Sequence, residues 1–83
     1  MCHPLTAAFA QIVRSRRERA GLTQAELAVA AKVSESYIQR IEYGQRTPTL
    51  TVFLQLAKAL DVEPTEFLQE TMRLQAVLRN NLG

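Results

Sequence analysis

The segment from Gly21 to Gly44, GLTQAELAVAAKVSESYIQRIEYG, leaves the chain few ways to fold. Thr23 and Glu26 stand in capping-box register: the threonine hydroxyl can accept the Glu26 backbone N–H while the Glu26 carboxylate accepts the Thr23 N–H. A helix is therefore expected from Thr23 to about Ala31, with Leu27 and Ala28 facing inward. Ser34 is an N-cap for a second helix over about Glu35–Tyr43, and Gly44 ends it. Only Lys32 and Val33 lie between, a very short connection. For the second to dock on the first, Val33, Ile38 and Ile41 must turn inward. Spacings of three and four then leave Glu35, Ser36, Gln39, Arg40 and Tyr43 on adjoining rows of its outer surface.

The flanks read as helices too. A first helix is expected over about Leu5–Ala20, with Phe9, Ile12 and Val13 as its apolar stripe and Gly21 as its left-handed cap. After the loop Gln45-Arg46-Thr47-Pro48, Thr49 caps a fourth helix on which Leu50, Phe53, Leu56, Ala57 and Leu60 share a face. Asp61-Val62-Glu63 interrupts, and Pro64 suits the first position of a fifth helix. No segment alternates as a strand would. The expectation is an all-α chain of five helices, one domain over residues 1–83, with a core spanning about 5–69 and a C-terminal extension over about 70–82.

That extension is unusual. Once Phe67 and Leu68 have covered the core, Thr71, Leu74, Leu78 and Leu82 continue at helical spacing. Two fates are open to this stripe: folding back on its own domain, or burial against a second copy, with Leu54 joining from the fourth helix. The second removes an apolar patch larger than a small monomer usually exposes.

Composition excludes much else. Eighty-three residues allow one domain, and 47% apolar content is that of a folded chain. The single cysteine, Cys2, rules out an intrachain disulfide, and with the single histidine, His3, it falls two ligands short of a structural zinc site. No catalytic residues, metal, cofactor or small-molecule ligand are expected, so an enzyme reading has no support. No apolar run approaches the ~20 residues that span a membrane, and Met1-Cys2-His3-Pro4 lacks the basic and apolar regions of a signal peptide; a cytoplasmic protein is expected. Charge is unevenly spread. Residues 1–46 carry seven basic and four acidic side chains, residues 47–83 three and four, and eight of the ten cations are arginines, which bind phosphate and guanine edges bidentately.

Two helices joined by a tight turn, the second polar on its outer face, make a helix-turn-helix, and Gly21–Gly44 resembles the Cro/CI phage-repressor (xenobiotic-response-element) class of that motif. The likeness runs from about Phe9 to Leu68. It rests on Arg16-Arg17, the GLTQAELA block, the I-x-x-I-E-x-G closure and Pro48 ahead of the fourth helix. It implies a five-helix, lambda-repressor-like fold that binds double-stranded DNA as a homodimer on a palindromic operator, with residues 35–43 in the major groove. For a chain this short it implies phage Cro-like or restriction–modification controller-like proteins. The rival reading is an antitoxin or interaction module that uses the same fold to hold a partner protein.

The resemblance also assigns residues. Arg40 takes a base-reading position, with phosphate as its alternative; Ser36 and Gln39 are further contacts to base or backbone. Glu35 accepts from a cytosine or is simply favoured by the helix dipole. Gln24, at the start of the second helix, falls on a phosphate, and Ser34, Tyr43, Arg46 and Arg14 are phosphate contacts too. Tyr37 either gives its hydroxyl to phosphate or packs. Arg17 and Glu42 match a structural ion pair between the first and third helices.

Overall fold

The computed structural model describes residues 3–82, with side chains through residue 80. Five helices, and no strand among these residues, succeed one another: α1 (Pro4–Arg19), α2 (Gln24–Ala31), α3 (Glu35–Glu42), α4 (Leu50–Ala59) and α5 (Pro64–Leu82). This is the all-α order read from the sequence. α1 begins one residue earlier than expected, because Pro4 occupies its first turn and His3 Nδ1 accepts the Leu5 N–H at 3.0 Å.

The capping box forms in full. Glu26 N–H donates to Thr23 Oγ1 at 3.0 Å, and Thr23 N–H to Glu26 Oε1 at 2.8 Å. The turn that follows is closed by Lys32 in the left-handed region (φ 62°), with Val33 N–H reaching back to the Ala28 carbonyl at 3.0 Å. A lysine holds a conformation usually left to glycine, and no glycine signal marked it in the sequence. Ser34 Oγ then accepts Tyr37 N–H at 3.1 Å to start α3. At its far end Gly44 (φ 73°) makes the same kind of reversal, and Gln45 N–H closes onto Arg40 O at 2.9 Å.

α1 packs against α3 and α5, α2 against α3 and α4, and α4 against α5. Val13, Leu27, Ile38, Ile41, Leu56 and Phe67 are wholly buried where these faces meet. Three aromatic rings tie the two ends of the chain together: Phe67 lies 5.2 Å from Phe9 and 5.1 Å from Phe53, centroid to centroid.

Three expectations are corrected, the first being Leu68, expected to cover the core beside Phe67 but 45% exposed. Leu50, placed on the core face of α4, is 75% exposed. It is the first residue of its helix and sits at the edge of the arc defined by Phe53, Leu56, Ala57 and Leu60, so the core ends before reaching it. Thr71, placed in the subunit interface, is only 2% exposed, and its hydroxyl donates to the Phe67 carbonyl at 2.9 Å. Thr71 and Leu74 stack in line with Phe67, and Leu74 packs against the core. That part of the stripe belongs to the monomer. Leu78 is half-buried, Leu54 is 47% exposed, and the Leu82 side chain lies outside the described residues.

Candidate nucleic-acid interface

The inner edge of α3 is fixed by one carboxylate. The Glu42 side chain has no solvent exposure, and Arg17 grips it with two N–H groups, Nε to Oε2 at 2.6 Å and Nη2 to Oε1 at 3.1 Å. Gln24 Nε2 donates to the same Oε1 at 3.0 Å, and Arg14 Nε lies 3.5 Å away. Arg17 spends a further N–H on the Leu22 carbonyl at 2.8 Å. Residues from α1 and α2 thus converge on the last residue of α3, and the loop between them holds Arg17 through the Leu22 carbonyl.

Burial works to raise the pKa of Glu42, but the hydrogen bonds from Arg17 and Gln24 and the charges of Arg17 and Arg14 outweigh it and hold the carboxyl below its ordinary value. The hydrogen bond to Glu42, against the opposing effect of burial, holds Arg17 above its own.

The outer edge is the opposite. Glu35, Ser36, Arg40 and Tyr43 are exposed and Gln39 half-exposed. They form two rows along the helix, Glu35–Gln39–Tyr43 and Ser36–Arg40. Among the described residues none of these side chains has a hydrogen-bond or ion-pair partner. The surface they make is about one helix wide, polar, and available to base edges. The phosphate candidates divide. Arg46 is exposed beside this face, and Ser34 is exposed although its hydroxyl serves the cap. Gln24 and Arg14 direct side-chain nitrogens at Glu42, a role their sequence positions did not disclose.

Of the two roles open to Tyr37, the geometry favours packing. Its oxygen is buried and has no hydrogen-bond partner among the described residues, while the Arg46 guanidinium lies over its ring, 4.7 Å from the centroid.

A second arginine network also escaped the sequence reading. Arg16 Nε binds Glu70 Oε1 at 2.7 Å and its Nη2 lies 3.6 Å from Glu66, so α5 is anchored on α1. The available signal was the pair Glu66 and Glu70, four apart on one helix face.

The sequence profile of the helix-turn-helix family matches residues 13–67, which takes in both helices of the motif and the elements that brace them. The chain belongs to the Cro/CI-type helix-turn-helix family. This helix-turn-helix chain is thus a member of a family of DNA-binding transcriptional regulators. It is 40% identical over 58 residues to the uncharacterized HTH-type transcriptional regulator y4dJ of Sinorhizobium fredii, covering 70% of this chain and 74% of that one. Other curated relatives are longer, and the matched region is 14% to 45% of their length.

Among solved structures, it is similar to the restriction-modification controller protein C.AhdI from Aeromonas hydrophila, with 40% identity and a TM-score of 0.72 over 75% of this chain and 94% of that one. The clp gene regulator ClgR from Corynebacterium glutamicum matches over 93% of this chain and 82% of its own, with 27% identity and a TM-score of 0.85. No group of three or more metal-ligating side chains occurs among the described residues, and none of their helices is long and apolar enough to cross a membrane.

Proposed function

We propose that this protein is a sequence-specific regulator of transcription that binds a palindromic operator in double-stranded DNA as a homodimer, with α3 in the major groove. The observation that carries this reading is the contrast between the two edges of α3. One edge is locked by Glu42; the other presents Ser36, Gln39, Arg40 and Glu35 with no internal partner. Arg40 has the reach and the fork geometry for guanine O6 and N7, and Ser36 and Gln39 read neighbouring edges. Arg46, Ser34 and Tyr43 hold the backbone. Arg14 keeps enough exposure to share a phosphate, and Gln24 meets one through the backbone N–H of the first turn of α2, where the helix dipole favours an anion.

For the dimer, the exposed apolar side chains favour a surface shifted from the stripe in the sequence. Leu50 and Leu68 line one apolar groove, and Leu54 and Met72 follow one turn further along their helices. Leu78 extends the surface along α5, the part of the chain read as an association extension beyond the core.

Recovery of bound duplexes from a random pool tests the reading. The expected product is an inverted repeat whose half-site centres lie about one helical turn, ~10 base pairs, apart. An unenriched pool, or a single half-site, would contradict it. Sedimentation equilibrium should show a dimer for the native chain and a monomer for Leu68→Glu, since a carboxylate cannot be buried unpaired in an apolar interface. A dimer that tolerates this substitution would place the interface elsewhere.

A further inference from the structure

We infer that Tyr37 acts on DNA through Arg46: its ring is a platform that holds the arginine in position for a backbone phosphate, and the tyrosine is a positioning residue rather than a phosphate donor. This rests on the reading of α3 as the recognition helix.

Three observations meet here. The Arg46 guanidinium lies over the Tyr37 ring at 4.7 Å from its centroid. The Tyr37 hydroxyl is buried without a partner, so what the residue offers to the outside is its aromatic face. That face is held still, because Tyr37 packs against the core and its N–H is taken by Ser34 Oγ.

A guanidinium resting over a ring through its cationic carbon leaves N–H groups free for a further acceptor. No carboxylate among the described residues occupies them. An exposed arginine in a loop normally loses rotamer freedom when it binds, and one already resting on a ring has less to lose. The stack also spans α3, joining a residue near its start to the loop beyond its end. The phosphate contact is thereby placed relative to the base-reading rows.

The test is a double-mutant cycle on operator binding with the full chain, using Arg46→Ala, Tyr37→Leu, Tyr37→Phe and the corresponding double variants. Far-UV circular dichroism and melting confirm that each is folded. In the native background Arg46→Ala should weaken binding to all duplexes alike and flatten the log–log salt slope by about 0.9 for each phosphate released.

In the Tyr37→Leu background the same change should cost about two- to fivefold less per half-site, the strength of an exposed cation–π contact. Tyr37→Phe keeps the ring and should restore the coupling. Additive effects of Tyr37→Leu and Arg46→Ala would overturn the inference. So would a Tyr37→Phe variant as impaired as Tyr37→Leu, which would mean that the hydroxyl itself reaches the DNA. Failure of the native chain to prefer any duplex would instead defeat the operator-binding reading, and the two failures are therefore distinct.

Discussion

Glu42→Ala is expected to destabilise the protein by about 3–5 kcal/mol, the range for removing one partner of a buried ion pair. Most of that cost comes from what is left behind. Arg17, whose side chain is only 13% exposed, would lose both N–H contacts to the carboxylate, and Gln24 would lose its acceptor. A chain of 83 residues has a total stability of about 4–12 kcal/mol at ordinary values per residue, so the variant should melt far below the native protein or fail to fold at 37 °C.

Acid should narrow the difference. The folded-state pKa of Glu42 lies below its unfolded value, so the stabilisation is complete above about pH 4.3, the ordinary carboxylate value, and fades as pH falls through the lower folded-state value. Urea unfolding of native, Glu42→Ala and Glu42→Gln proteins at pH 7 and pH 3 measures this. The native chain should lead Glu42→Gln at neutral pH, and the gap should narrow in acid. A gap independent of pH would show that the charge of Glu42 contributes nothing to stability.

Arg40→Ala should have the largest effect on recognition. One bidentate guanine contact discriminates by about 1–3 kcal/mol, and a twofold dimer makes it twice. The operator should therefore lose about 2–6 kcal/mol, from about 30-fold to about 20,000-fold in affinity, while binding to unrelated duplex changes little. Because Arg40 is exposed and unpartnered, the fold should be unaffected. Specificity should relax at the same base pair in each half-site, which binding to single-position operator variants would reveal. Equal losses on operator and random duplex would make Arg40 a phosphate contact instead.

Much of this is legible in the sequence. Short-range chemistry reads well from sequence: the Thr23–Glu26 box, the Ser34 and Thr49 caps and the Gly44 reversal each involve groups at most a few residues apart. Lys32 was not legible as a left-handed residue, because the cost of that conformation is offset by the packing of the helices it joins rather than by its own side chain. Helix periodicity says which residues share a face but not where along the helix the core stops. Periodicity therefore puts Leu50 inside and Thr71 at an interface, although Leu50 lies beyond the core's edge and Thr71 directly above Phe67. Side-chain direction at element junctions was also out of reach: Gln24 and Arg14 meet Glu42 only because α1 and α2 bring them to the end of α3.

Whether the protein is a dimeric reader of a specific palindrome is decided by titrating the native chain against its selected inverted repeat and a shuffled duplex across a salt series. A steep negative slope of log affinity on log salt is expected for both duplexes, with the inverted repeat bound at least ~10³-fold more tightly at physiological salt. Equal affinity for the two duplexes, or a slope near zero, would contradict that reading.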